Sequence, residues 1–183
     1  MGTAYNPRPT RVAGTLSSPV PRPPLSIDTY IPMPIDVGTE APDFTLKTQD
    51  EQEWTLSAQR GKNVVLMWYP LDWSPTCEKE NCSISDEPTF KSDDNTVVVG
   101  ISRDSTWSHR AWKESRGIRH DLLADPMLDV TGKYDLVHPA VPFISHRATV
   151  IVDKNGKIAF VQVQEKTPEA RDWDAVRDAL GKL

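Results

Sequence analysis

Three apolar runs rich in Val and Ile constrain the fold of this chain more than any other feature. They lie at residues 63–69, 96–101 and 148–152. Each run is continuous, which is typical of a strand that is buried on both faces of a sheet. Helix-like segments alternate with these runs. The sequence therefore predicts an α/β domain whose central sheet is flanked by helices.

Turn and capping residues predict the remaining elements. Residues 44–46 and 54–56 are expected to form short strands around the polar turn at 49–51, which makes an N-terminal hairpin. Asn155 and Gly156 favour a tight turn into a strand at 157–164, so the sheet is expected to be mixed. One helix is predicted at 105–116, where Gly117 ends it, and a shorter one at 128–134. A third is predicted near the C-terminus, with Thr167 as its cap and Pro168 in its first position. Its residues expected to face the sheet are Ala170, Trp173, Val176 and Leu180.

Composition argues against several classes of function. The formal net charge of −5 and a pI near 5.4 disfavour nucleic acid as a partner, because phosphate binding relies on clustered Lys and Arg. No stretch approaches the roughly 18 consecutive apolar residues of a membrane span, and the N-terminus lacks the apolar core of a secretory signal. We expect a soluble cytoplasmic protein that binds neither nucleic acid nor membrane.

Proline distribution divides the chain into two parts. Eight of the sixteen prolines lie in the first 34 residues, where few apolar residues occur. The prediction is a proline-rich arm at 1–35 and one α/β domain at 36–183. The arm is most simply a solvated polyproline-like tail. Two alternatives stay open, a PxxP ligand at Pro21–Pro24 and an organelle-targeting peptide, since the arm has three arginines and no acidic residue before Asp28.

Cys77 and Cys82 are the only cysteines of the chain. Pro70 and Pro75 interrupt the backbone after an apolar run, so Cys77 is expected in the first turn of a helix that begins near Thr76. Free N–H groups and the helix dipole favour a thiolate there. Glu78 and Glu80 oppose it, and a further cation would settle the balance. From spacing alone, an inert buried cysteine stays an alternative.

Histidine spacing gives no support to a metal centre. The four histidines are scattered and lack the short Cys/His spacings of a zinc site. We expect neither a metal nor another cofactor. The histidines are His109, His120, His138 and His146.

Pro70, Ser74 and Cys77 stand in the spacing P-x-x-x-[TS]-x-x-C, which resembles the active-site motif of the peroxiredoxins. Residues 37–44 resemble the opening segment of that family, and 100–105 resemble its middle strand exit. Arg147, just before a late apolar run, matches the family's active-site arginine. The similarity covers about 37–164 and implies a thioredoxin-like fold. The subfamilies it suggests are bacterioferritin-comigratory or Q-type peroxiredoxins, or alkyl hydroperoxide reductase E-like proteins.

The resemblance implies a role for each matched residue. Cys77 attacks hydrogen peroxide or an organic hydroperoxide and becomes a sulfenic acid. Arg147 is then the missing cation, whose N–H groups hold the sulfur and the peroxide oxygens. Ser74 hydrogen-bonds the peroxide, and Pro70 shields the site. Trp73 in the same loop either lines the peroxide pocket or, as is more common for an aromatic, simply packs, and it is left out of the catalytic set.

Cys82 follows Cys77 by five residues, a separation that resembles peroxiredoxins in which a second cysteine resolves the sulfenic acid within one chain. On an intact helix the two Cα atoms lie roughly 8.7 Å apart, whereas a disulfide requires at most about 7 Å. A disulfide therefore requires local unwinding, against which the polar stretch 78–81 offers little apolar surface. In the alternative, Cys82 is a bystander and an external thiol reduces Cys77.

Partners and competing functions follow from the same residues. The resemblance implies a thioredoxin- or glutaredoxin-like reductant and a monomer or homodimer, with Trp107 and Trp112 either at a dimer interface or in the core. A thiol–disulfide oxidoreductase is one competing function, although the usual C-x-x-C is absent. A scaffold that presents the proline-rich arm is the non-enzymatic competitor.

Overall fold

The computed structural model describes residues 35–92, 95–164, 166 and 168–183. The arm expected at 1–35 lies outside these ranges except for Ile35. No helix within them is long and apolar enough to cross a membrane. The strands are β1 (Thr45–Thr48), β2 (Glu53–Thr55), β3 (Asn63–Trp68), β4 (Thr96–Ser102), β5 (Asp121–Ala124), β6 (Arg147–Val152) and β7 (Ile158–Gln164). The α-helices are α1 (Pro75–Ser85), α2 (Thr106–Arg116), α3 (Asp129–Lys133) and α4 (Trp173–Leu180).

The strands form one mixed sheet in the order β2-β1-β5-β4-β3-β6-β7. Strands β3, β4 and β5 are parallel to one another. β1 and β2 form the antiparallel hairpin at one side, and β6 and β7 are antiparallel neighbours at the other. This arrangement confirms the predicted mixed sheet and the thioredoxin-like α/β fold.

Both faces of the sheet are buried, as the continuous apolar runs predict. Along β3, Leu66 packs into one core cluster that includes Val130 of α3. Met67 points to the other face and packs with Ile84 of α1 and Val176 of α4. Alternate residues of one strand thus contribute to two cores, which explains why β3 is apolar throughout.

Strand register determines which residues meet at the end of β3. β6 runs antiparallel to β3, with Ala148 opposite Trp68. Arg147 is the first residue of β6 and therefore lies where β3 ends and the loop containing Pro70 begins. A residue far away in sequence is brought to the helix that follows β3 by backbone pairing alone.

Two elements differ from the prediction. β5 was not predicted, because its four residues Asp-Leu-Leu-Ala contain no β-branched or aromatic side chain. α4 begins at Trp173 with Asp172 as its cap, and the Asp172 side chain accepts a hydrogen bond from the backbone N–H of Ala175. The prediction of a helix that begins at Pro168 was therefore wrong, and its cap Thr167 lies outside the described residues.

The two tryptophans of α2 have opposite environments. Trp112 is fully buried and packs with Cys77, so it belongs to the core. Trp107 is 72% exposed. The dimer-interface interpretation therefore concerns Trp107 alone, and the monomer-or-homodimer expectation stays a prediction.

We expect Gly100→Ala to destabilise the fold. A Cβ at this position of β4 would lie 2.8 Å from Cδ2 of Leu122 and 3.1 Å from Cε1 of Tyr69, so the core must shift to admit it. Overpacking of this kind costs about 1–3 kcal/mol, measurable as a lower free energy of unfolding in urea. Gly132→Ala is the matched control, because nothing lies within 4 Å of its added Cβ; equal stability of the two variants would contradict the prediction.

Candidate active site

The loop after β3 ends in a helix N-terminus that presents Cys77. Ser74 is the N-cap residue with an extended backbone, and Pro75 occupies the first helical position, where its missing N–H and fixed φ are favourable. Cys77 lies two residues further on, in the first turn, and is fully buried. The predicted position of Cys77 in a first helical turn is confirmed.

The guanidinium of Arg147 lies beside the thiol. Its Nη2 donates to Sγ of Cys77 across 3.4 Å, and both side chains are almost completely shielded from water. A cation therefore lies beside the thiol, and β6 supplies it.

Glu80 connects Arg147 to a second buried arginine. One carboxylate oxygen, Oε2, accepts hydrogen bonds from Nη1 of Arg147 and from Nη1 of Arg171, each at 2.5 Å. The other, Oε1, accepts from the backbone N–H of Arg171 at 2.7 Å. Glu80 is only 4% exposed. Its charge is matched by two guanidinium groups, a pairing that the sequence analysis did not predict.

Arg171 also joins the two strands that carry the site. Its Nε donates to the hydroxyl of Thr149, and its Nη2 donates to the backbone carbonyls of Trp68 and Ala148. Burial lowers the pKa of Arg171 to about 10, partly offset by Glu80, so this guanidinium is charged at neutral pH. The Arg147–Glu80–Arg171 cluster thus connects α1 to the ends of β3 and β6.

A pocket of about 250 Å³ lies beside Arg147. Pro70, Ser74 and Arg147 line it together with apolar side chains that include Ile144. The hydroxyl of Ser74 donates to the carbonyl of Leu71 at 3.0 Å, which leaves its oxygen able to accept a further hydrogen bond. A larger cavity of about 380 Å³ lies at the opposite end of β3, and no cysteine lines it.

Asn81 and His120 form hydrogen bonds that stabilise the first turns of α1. The Asn81 Nδ2 donates to the carbonyl of Cys77 at 2.9 Å, and its Oδ1 lies 2.9 Å from Nε2 of His120. Since Oδ1 can only accept, Nε2 of His120 carries a proton. Burial and the nearby charges of Lys113 and Arg171 lower the pKa of His120 to about 3, so the ring is neutral at pH 7.

Asp72 anchors the active-site loop to α2. Its carboxylate accepts hydrogen bonds from Tyr69 at 2.8 Å and from Ser108 at 2.7 Å, and it lies 2.9 Å from Nδ1 of His109. The backbone N–H of Asp72 donates to Asp104. Burial and the Asp72 charge raise the pKa of Tyr69 well above its usual value, which keeps the phenol a donor. Asp72 therefore fixes the loop that carries Pro70 and Ser74 to α2 and to Asp104.

Cys82 lies on the same continuous helix as Cys77, and both are free thiols. Its Sγ donates to the backbone carbonyl of Arg116 across 3.9 Å. Partial burial and the charge of Glu78 raise the pKa of Cys82, and Arg116 acts in the opposite direction. Because α1 is intact, Cys77 and Cys82 are not brought together.

The structure thus gathers four of the five residues singled out in the sequence, namely Pro70, Ser74, Cys77 and Arg147. Glu80 as a partner of Arg147 was missed, although its position three residues after Cys77 places both on one face of a helix. Arg171 was also missed, and nothing in its local sequence indicates burial. Asn81 and His120 were also missed, because nothing in their local sequence indicates burial. In the parts of the chain that the structure describes, no group of three or more His, Cys, Asp or Glu could hold a metal ion.

Comparisons with known proteins all lead to one family. The AhpC/TSA family model matches residues 37–161. Alkyl hydroperoxide reductase E of Mycobacterium tuberculosis is 35% identical over 153 residues, which are 81% of this chain and 98% of that protein. Chloroplastic peroxiredoxin Q of Suaeda salsa is 32% identical over 146 residues, 80% of this chain and 68% of that protein. The crystal structure of a peroxiredoxin-like protein from Aquifex aeolicus superposes with a TM-score of 0.75 at 25% identity, covering 82% and 88% of the two chains.

The matching family and relatives are peroxiredoxins, which are thiol peroxidases. The family match covers well over half of the chain. The chain belongs to the AhpC/TSA family and is a peroxiredoxin.

Glu80→Gln is expected to destabilise the protein by about 3 kcal/mol, because it leaves two buried guanidinium groups without their counter-charge. The free energy of unfolding in urea measures this loss. Glu87→Gln serves as the control, since Glu87 pairs with Arg177 in a partly exposed ion pair, which contributes little. A Glu80→Gln protein as stable as the control would show that the cluster contributes nothing to the fold.

His120 should make stability depend on pH. Its pKa is about 3 in the folded protein and near 6.5 when unfolded, so only the unfolded state gains a proton between these values. His120 therefore leaves the free energy of unfolding unchanged above pH 6.5. As the pH falls from 6.5 toward 3, it lowers this free energy by about 1 kcal/mol per pH unit. Urea unfolding at pH 7, 5.5 and 4 measures the slope. His120→Gln, which removes the titrating group, should have a shallower slope, and an equal slope would contradict the assignment.

Proposed function

We propose that Cys77 is the peroxidatic cysteine of this peroxiredoxin and that Arg147 is the group that activates it. The observation that carries the proposal is the contact of Nη2 of Arg147 with Sγ of Cys77, because Arg147 also lines the pocket. The first-turn N–H groups of α1 act on the same sulfur.

The reaction begins with attack of the Cys77 thiolate on one peroxide oxygen. A sulfur–oxygen bond forms and the O–O bond breaks, and the leaving oxygen takes a proton and departs as water or an alcohol. Cys77 is oxidised to a sulfenic acid and the peroxide is reduced. Arg147 supports the step because its N–H fork can bind the sulfur and the developing negative charge together.

The pocket lining supports both small and substituted peroxides as substrates. Pro70 excludes water and offers no competing N–H, and the oxygen of Ser74 can accept a hydrogen bond from a hydroperoxide. Leu71 and Ile144 form apolar walls suited to the substituent of an organic hydroperoxide. We propose hydrogen peroxide and organic hydroperoxides as the substrates.

We further propose that Cys82 resolves the sulfenic acid. Its sulfur attacks Sγ of Cys77, a disulfide forms and water leaves. The disulfide requires the Cα atoms to approach from roughly 8.7 Å on an ideal helix to less than about 7 Å. The first turns of α1 must therefore unwind. A dithiol of the thioredoxin or glutaredoxin type then reduces the disulfide by exchange, which places the cycle in a reducing compartment such as the cytoplasm.

Intact mass after one equivalent of peroxide tests this cycle. Wild type should become lighter by two hydrogens, because the resolved product is an intrachain disulfide. Cys82→Ser should instead gain oxygen, since its sulfenic acid has no internal partner. Identical oxygen-added products from both proteins would overturn the resolving role of Cys82.

Cys77→Ser is the companion variant and should consume no peroxide. If it consumed peroxide at the wild-type rate, Cys77 would not be the peroxidatic residue. An insulin-reduction assay without peroxide separates a peroxidase from a general thiol–disulfide oxidoreductase, which alone reduces insulin.

A further inference from the structure

Arg116, the last residue of α2, contacts α1 and its preceding loop in three ways. Its Nε lies 2.7 Å from Oε2 of Glu78, the residue after Cys77. Its guanidinium lies over the ring of Trp73, 5.4 Å from the centroid. Its backbone carbonyl accepts the weak hydrogen bond from Cys82. One residue outside α1 thus contacts the chain before Cys77, directly after it, and at the second cysteine.

These contacts lie on a different side of α1 from the buried cluster. Glu80 and Asn81 are buried against the sheet, whereas the side chains of Arg116 and Glu78 are 38% and 33% exposed. The buried contacts fix α1 to the sheet. The contacts of Arg116 fix its outer side to α2.

Disulfide formation requires that these outer contacts break. Unwinding the first turns of α1 displaces Glu78, and movement of Cys82 toward Cys77 removes its sulfur from the carbonyl of Arg116. Arg116 makes no contact with Sγ of Cys77 among the hydrogen bonds and ion pairs of the described residues. It can therefore influence the opening of α1 without taking part in the attack on peroxide.

We propose that Arg116 is a positioning residue that holds α1 closed and so sets how fast Cys82 reaches the oxidised Cys77. This proposal rests on the proposed resolving role of Cys82. A sulfenic acid has two fates: attack by Cys82, which forms a disulfide and releases water, or reaction with a second peroxide, which forms a sulfinic acid and releases water or an alcohol. Slower opening favours the second fate, so the Arg116 contacts bias the partition between them.

Hydrogen exchange of the reduced protein measures the opening directly. A partly exposed ion pair and a cation–π contact are individually weak, and their joint loss in Arg116→Ala should raise amide exchange in α1 by about three- to tenfold. Exchange in α4 should be unchanged. Arg119→Ala is the matched control, because Arg119 pairs with Asp86 at the other end of α1. Unchanged α1 exchange in Arg116→Ala, or an equal increase in Arg119→Ala, would overturn the proposal.

The ratio of disulfide to sulfinic acid under excess peroxide tests the consequence. Glu78→Gln and Arg116→Ala both remove the ion pair, yet they shift the pKa of Cys82 oppositely, since Glu78 raises it and Arg116 lowers it. If Arg116 holds α1 closed, both variants should give more disulfide than wild type. A purely electrostatic effect on the Cys82 thiol would instead move them in opposite directions, and that result would refute the proposal.

Arg116→Lys keeps the charge but loses the planar guanidinium, so its exchange and product ratio should lie between those of wild type and Arg116→Ala.

The resolving role of Cys82 and the positioning role of Arg116 fail in different ways. If Cys82 does not resolve Cys77, wild type and Cys82→Ser yield the same oxygen-added product, and this leaves α1 exchange unaffected. If Arg116 does not hold α1, the disulfide still forms but Arg116→Ala exchanges like wild type.

Discussion

The buried Arg147–Glu80–Arg171 cluster is the interaction on which the rest of the site depends. Three charges are removed from water, and only their mutual pairing makes this tolerable. Arg171 meets the backbone carbonyls of β3 and β6, so the cluster also joins β3, which precedes the helix of Cys77, to β6, which carries Arg147. Glu80 sits on α1 three residues after Cys77 and determines how Arg147 faces the thiol. Arg147 therefore both lies beside the thiol and belongs to the charge balance of the buried cluster.

This arrangement creates a conflict between reactivity and resolution. In the proposed cycle, rapid attack on peroxide requires Cys77 to stay at an ordered helix N-terminus beside Arg147. The proposed resolution by Cys82 requires the same helix to open. The stretch 78–81 has little apolar surface, yet Glu80 and Asn81 are buried and hydrogen-bonded to the sheet side of the molecule. On the proposals above, unwinding of α1 is opposed by the buried polar contacts of Glu80 and Asn81 and by Arg116 on the exposed side of the helix.

Sequence patterns predicted most of the fold, because its central strands are apolar on both faces. The hairpin, β3, β4, β6, β7, α2 and α3 were all predicted to within a few residues. β5 was missed since Leu and Ala distinguish a short strand poorly from other buried segments. The start of α4 was misplaced because Thr167 and Pro168 form a good capping pattern, whereas Asp172 caps the helix that is actually packed. Local propensity identified a helix, and tertiary packing selected its first turn.

For the site, the sequence alone determined the residue types and their motif: Pro70, Ser74 and Cys77 are close in the chain, and two prolines followed by good helix formers predict a helix N-terminus. Arg147 was found only through a resemblance that spans the chain. Tertiary structure decided how these residues meet, because antiparallel pairing of β6 with β3 places Arg147 over α1. It also decided that Glu80 and Arg171 belong together. Their pairing joins α1 to the segment before α4, and no local pattern records a contact between residues so far apart, since the energy of a buried charge depends on its neighbours in space.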